Sequence, residues 1–120
     1  FWIKQIKHQF NVGISNSSIY CKREIVIEKD VLIGADCKIY DTDFHSIYID
    51  DRKNKPETGV KCASVLIDTG AFIGASSIIL KGVIVGKNAV VAAGSVVSKS
   101  IPDNEVWGGN PAKLIKKIEK

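Results

Sequence analysis

The side chains best suited to chemistry in this chain of 120 residues lie in one short stretch, Tyr40-Asp41-Thr42-Asp43-Phe44-His45-Ser46. An imidazole titrates near neutral pH, so His45 is suited to draw a proton from an alcohol or amine while that group attacks an acyl carbon. Asp41 and Asp43 are close enough in sequence to orient the ring or raise its basicity, although a two-residue spacing on a strand does not establish contact. Asp43 also occupies a place where the surrounding pattern puts small or apolar residues, and an inward carboxylate there would need a partner. Either the strand bends away at Asp43, or the carboxylate is held for His45. The plainer reading of His45 is a histidine at the base of a loop that hydrogen-bonds its surroundings, and the pattern alone weighs the two readings equally.

Little else in the chain competes for a catalytic role. His8 stands alone beside Lys4 and Lys7 and suits a surface or interface position. Cys21, Cys37 and Cys62 have no metal-ligand spacing, and an odd number argues against a disulfide framework, so a reducing compartment is expected. Cys21 and Cys37 fall on apolar positions and read as packing residues. No nucleophilic Ser-His-Asp set is legible.

What must hold His45 in place is a repeat. From Ile67 to Pro102 the chain aligns in sixes as IDTGAF, IGASSI, ILKGVI, VGKNAV, VAAGSV and VSKSIP, with Ile67, Ile73, Ile79, Val85, Val91 and Val97 in one phase. The fifth place holds Ala71, Ser77, Val83, Ala89, Ser95 and Ile101, mostly small residues. A helix would space its apolar residues by three and four. A period of six with β-branched residues and glycine or asparagine corners predicts short strands that bury their apolar side by stacking on neighbouring coils, an all-β solenoid. Upstream, from Ser15, the sixes SNSSIY, CKREIV, IEKDVL, IGADCK and IYDTDF put Cys21, Ile27, Ile33 and Ile39 in phase, with Ile19, Ile25, Val31 and Cys37 in the fifth place.

His45 is the next in-phase position, but Ile67 is four residues out of step with it. An insertion, loop 46–62, therefore separates the two runs, and its polar, turn-rich middle from Asp50 to Gly59 is expected to project from the coil. The predicted organisation is a solenoid domain over 1–110, with an N-terminal segment expected before Phe1, followed by a short helix over 111–120. Asn110 would cap that helix, Pro111 would open it, and Leu114, Ile115 and Ile118 would form its apolar face over the open end of the solenoid.

With 45% hydrophobic residues the chain suffices for one domain. It has no membrane-length apolar run and no signal-peptide layout, and a soluble, cytoplasmic protein is expected. The net charge of +4 invites a nucleic-acid reading. The lysines, however, are scattered over repeat corners and gathered only at the C-terminus, without a nucleic-acid-binding pattern. A phosphate-bearing small molecule makes better use of them.

The repeat resembles the hexapeptide-repeat acyltransferases, whose fold is a left-handed parallel β-helix with three sixes per coil. That handedness is implied by the resemblance, since periodicity carries none and parallel crossovers are usually right-handed. Asp41-Thr42-Asp43-Phe44-His45-Ser46 is similar to the D-x-D-x-H-S signature of sugar and polysaccharide O-acetyltransferases in this superfamily, which implies that His45 is the general base. The resemblance further implies acetyl-CoA as acyl donor and no required metal. Its pantetheine would meet the backbone of Ala75 and Ala93 and the V-[ST]-K-x-I-P residues Ser98 and Lys99. Its phosphates would meet Lys113, with Lys116 less well matched, and Phe72 would wall the thiol channel. Each has a plain alternative as corner filling, a solvated lysine or packing.

For the sugar acceptor, Asn16 and Ser17 are candidates, equally readable as corner residues. Lys22-Arg23 stand where sugar-acetylating relatives would suggest an acidic residue, which leaves a negatively charged sugar open. A homotrimer is implied as well. The alternatives are N-acetylation of an amino-sugar and a solenoid scaffold without activity. A zinc carbonic anhydrase of the same solenoid type would need three imidazoles, and this chain has His8 and His45 only.

Overall fold

The computed structural model describes the backbone of residues 6–8 and the whole of residues 11–119. The expectation for the His8 side chain lies outside the described residues. The first coil comprises β1 (Ile6–His8), β2 (Gly13–Ile14) and β3 (Ser18–Tyr20), and the second β4 (Ile25–Ile27), β5 (Leu32–Ile33) and β6 (Lys38–Tyr40). A helix, α1 (Ile49–Asn54), lies in the excursion that follows. The third coil is β7 (Val65–Ile67), β8 (Phe72–Ile73) and β9 (Ile78–Ile79), and the fourth β10 (Ile84–Val85), β11 (Val90–Val91) and β12 (Val96–Val97). The chain closes with β13 (Glu105–Gly109) and β14 (Ala112–Lys117).

Corresponding strands of successive coils pair in parallel and form a three-sided prism. Face one is β1-β4-β7-β10, face two is β2-β5-β8-β11 extended by β13 and β14, and face three is β3-β6-β9-β12. The six-residue phase sets which side chains point inward. On face three Ile19, Ile39, Ile79 and Val97 stack in register, and on face two Ile33, Ile73, Val91 and Trp107 do the same. All of the phase positions from Ile67 to Val97 are fully buried. Each contributes about 1.5–3 kcal/mol of burial. Cys21 and Cys37 are also in this core, as expected of packing residues.

The corners turn through left-handed backbone. Asn16, Asp36, Ser76 and Gly94 have φ of 39°, 59°, 61° and 74° and lie one below another at the corner between faces two and three. Asn, Asp and Gly tolerate that region best, which is why small polar residues recur there. The corner ladder runs from Asp36 N–H to the Asn16 carbonyl, from Ser76 N–H to Ala35 and from Gly94 N–H to Ala75.

The tail differs from the sequence-based expectation. Residues 112–117 form a strand, not a helix, folded back antiparallel on β13 through a turn at Asn110-Pro111. A helix over 111–120 would have been too short to be stable without packing, whereas the outer edge of β13 offers a full row of backbone partners. Trp107, in register with Val91 and packed against the core, closes the end of the prism that the helix was expected to cover.

Candidate functional site

The corner between faces three and one opens into the excursion, and Asp41 organises it. Its carboxylate is fully buried and accepts hydrogen bonds from the backbone N–H groups of Lys22, Arg23 and Glu24 at 2.8, 2.7 and 2.9 Å. Asp41 therefore holds the corner of the coil above and does not orient His45. The neck of the excursion is an antiparallel clasp: Thr42 bridges Cys62, Asp43 N–H donates to the Lys61 carbonyl at 3.0 Å and Ala63 N–H to that of Asp41 at 2.9 Å.

Beyond the clasp the strand bends away, the first of the two arrangements anticipated for Asp43. Phe44 has φ of 67°, costly for an aromatic residue, and its ring is fixed edge-on between Tyr20 and Tyr40 with centroids 5.4 and 5.0 Å away. The next residue is His45, whose N–H donates to the Asp43 carbonyl at 2.7 Å. Asp43 thus meets His45 through its backbone, while its carboxylate is 3.0 Å from the Lys81 ammonium.

On the other side of His45, Ser46 is buried. It donates from Oγ to Asp51 Oδ2 at 2.7 Å, accepts from Tyr48 N–H, and its carbonyl receives Arg52. These bonds hold α1, which buries none of its own residues. Gly59, at φ +73°, packs so closely that a Cβ would come 2.6 Å from Asp51 Oδ2 and 2.8 Å from Ser46 Oγ. Gly59→Ala is expected to part Ser46 from Asp51. The Arg52 amide of α1 and the Lys55 amide that follows it, bonded to the Asp51 carbonyl, would then exchange with solvent about tenfold faster or more, while the Gly74 amide in the core keeps its protection. Unchanged exchange in α1 would show that Gly59 is dispensable there.

His45, Asp43, Lys61, Lys81, Ile47, Tyr48 and Gly59 line a cavity of about 210 Å³. A second cavity of about 270 Å³ brings together Ser98, Lys99 and Lys113 with Trp107, Pro111, Ala112 and Leu114. An indole and a leucine beside two ammonium groups suit a ligand that joins a flat apolar part to anionic groups. The second cavity reaches the edge of the first through Ser98 and Lys99, while its other lining residues belong to the closing β13–β14 hairpin. Ile39, Ile79 and Val97 stack in register, so Asp41, Lys81 and Lys99, each two residues further on, occupy the same edge at successive levels about 4.8 Å apart.

The remaining predicted residues lie elsewhere in the single chain. Ala75 and Ala93 are exposed on the opposite edge of face three, at the corner of Asn16, and the Ala75 carbonyl accepts from Gly94. Phe72 is on the outside of face two, 44% exposed. Ser17 Oγ donates to Gly34 and Ser15 carbonyls and accepts from Cys37 N–H, a corner role.

Lys61 and Lys81 were not singled out from the sequence. Lys81 carried a signal, since setting the loop aside and continuing the sixes places it beneath Asp41. Lys61 carried none, because its position follows from the clasp and not from the period. Among the described residues no three His, Cys, Asp or Glu side chains gather as for a metal ion, and no helix is long and apolar enough to cross a membrane.

Comparison with known proteins fits this geometry. The family model described as "Hexapeptide repeat of succinyl-transferase" matches residues 24–40 and 65–99, passing over the excursion. Protein CapG of Staphylococcus aureus is 56% identical over 68 residues, which are 57% of this chain and 39% of CapG, so the match spans about two fifths of that relative's length. The crystal structure of a maltose O-acetyltransferase from Clostridium difficile 630 superposes with a TM-score of 0.73 at 30% identity, covering 98% of this chain and 68% of that one. A hexapeptide-repeat-containing acetyltransferase from Vibrio cholerae O1 biovar eltor, complexed with acetyl coenzyme A, superposes with a TM-score of 0.79 at 25% identity, covering 100% and 71%.

Proposed function

This chain belongs to the hexapeptide-repeat acyltransferases and is built on their left-handed parallel β-helix, and from that footing we propose that it transfers an acetyl group from acetyl-CoA to a hydroxyl of a sugar or polysaccharide precursor. The observation that carries the reading is the location of His45, on a rigid clasp in one cavity, with a second, cation-lined cavity that meets the same edge at Ser98 and Lys99. The relative from Vibrio cholerae was solved with acetyl coenzyme A, which supports the donor, and the maltose enzyme supports a sugar acceptor.

In this reading Lys99, Lys113 and the Ser98 hydroxyl receive the phosphate-bearing end of the donor, and the thioester reaches along the edge toward His45. The imidazole takes the acceptor proton as the hydroxyl oxygen attacks the thioester carbonyl. The C–S bond then breaks, and the proton passes to the departing thiolate. Ordering donor and acceptor on one rigid edge supplies much of the rate, and a backbone N–H would steady the oxyanion. The edge alone leaves the reacting atoms without a facing wall. A homotrimer supplies one if the Asn16, Ala75 and Ala93 corner of a second copy packs against the His45 edge, which would also bring those residues to the donor.

The test is thioester consumption from acetyl-CoA against a panel of sugars and amino-sugars, with the mass of the active species measured on the same preparation. Acceptor-dependent release of CoA and an acetyl ester on the product are expected. Acetylation confined to amines would replace the hydroxyl acceptor, and an active monomer would remove the trimer.

A further inference from the structure

The cavity that holds His45 carries more positive charge than a general base requires. Two ammonium groups, Lys61 and Lys81, line it against one carboxylate, Asp43. The carboxylate is committed to Lys81 at 3.0 Å, and Lys61 has no ion pair among the described residues. One positive charge is therefore left over in a partly enclosed space whose walls also include the exposed side chains of Ile47 and Tyr48. A recess lined by one sign of charge focuses its field on whatever enters.

What enters is fixed by the imidazole. A general base must come within hydrogen-bond reach of the acceptor hydroxyl, so cations sharing its cavity meet the acceptor. The far phosphates of the donor have their own pair, Lys99 and Lys113, in the other cavity. Tyr48 offers a flat face for the apolar side of a pyranose ring, and the volume of about 210 Å³ is on the scale of one sugar unit. Arg23 follows on the same edge one coil above, while Lys22 beside it is paired with Glu57 at 3.9 Å.

We infer that the acceptor is a sugar bearing an anionic substituent, a ring carboxylate or a phosphate, and that Lys61 and Lys81 select it. This rests on the acetyltransferase reading for the role of the cavity, but the selectivity is measurable without catalysis. Lys81 also sets the state of Asp43: with Lys81 removed, the carboxylate would face an incoming anion unpaired. Loss of Lys81 is therefore expected to hurt anion binding more than loss of Lys61.

The experiment pairs sugars that differ at one position, where one member carries an anionic group and the other a neutral hydroxymethyl. Glucuronic acid, glucose 6-phosphate and glucose, and galacturonic acid with galactose, are titrated into the protein by chemical-shift mapping and then offered as acceptors with acetyl-CoA. The anionic member of at least one pair is expected to bind about tenfold tighter at low salt, with the advantage shrinking as salt rises. Lys61→Gln and Lys81→Gln are expected to bring that ratio toward one, and Lys61→Arg to keep it. A lowered kcat on charged and neutral sugars alike would instead make the lysines part of the chemical step and overturn the selective role.

Equal binding within every pair, or a preference that survives both glutamine variants, would also overturn it. Selective binding without any acetyl transfer would uphold the anion site and remove the transferase reading. Transfer to neutral sugars without preference would do the reverse. The carboxylate and phosphate arms decide between the two substituents.

Discussion

His45→Ala is expected to lower acetyl transfer by about two to four orders of magnitude while leaving the fold and the binding of acetyl-CoA intact. The side chain is exposed, so truncating it removes no core contact and leaves no buried polar group unpaired. What positions residue 45 is its backbone: the 2.7 Å bond from its N–H to the Asp43 carbonyl, the left-handed turn at Phe44 and the aromatic trio of Tyr20, Tyr40 and Phe44. None of these depends on the imidazole. The residues proposed to receive the donor phosphates, Ser98, Lys99 and Lys113, lie in a different cavity. The decisive measurement is therefore a pair: kcat with a turned-over acceptor, and the dissociation constant for acetyl-CoA by calorimetry. Loss of the first with the second unchanged is the expected result. A variant that transfers acetyl groups at the parent rate would reject His45 as base, and one that has lost CoA binding would mean that the edge is a single coupled site.

The sequence reveals the prism more readily than the site because the two are specified by different physics. Inward positions such as Ile73 and Val91 obey a strict period, since each must cover the one above it, and a period is visible in one dimension. Register then carries over to the edge: once Ile39 and Ile79 are known to stack, Lys81 follows as the residue below Asp41. The excursion obeys no period. Its form depends on a few specific bonds, local ones such as Ser46 Oγ to Asp51 and distant ones such as Asp43 to Lys81, between residues whose types are common in any polar loop. The tail failed for a related reason. Its apolar spacing at Leu114, Ile115 and Ile118 suits a helix, but the deciding influence was the free edge of β13, which no local pattern in the tail reports.

The D-x-D-x-H-S stretch illustrates both sides, and its first acid carries the largest expected effect on stability. Asp41→Ala is expected to cost about 3 kcal/mol, because it strands three backbone donors that now share one charged acceptor in a fully buried position. That is a large share of the roughly 5–15 kcal/mol that holds an ordinary domain together. The exposed Arg23 side lets water recover part of the loss, which keeps the figure below three full donor penalties. Asp41→Asn, which retains an acceptor oxygen but not the charge, should fall between the variant and the parent in urea midpoint.

Activity per folded molecule separates this role from a catalytic one. The Ala63 N–H bond to the Asp41 carbonyl and the Thr42 to Cys62 bridge are backbone features that the substitution leaves in place, so His45 should keep most of its rate in the folded fraction. A variant with the parent's urea midpoint and the activity loss of His45→Ala would reverse the assignment, making Asp41 the partner of the imidazole and its buried hydrogen bonds incidental to stability.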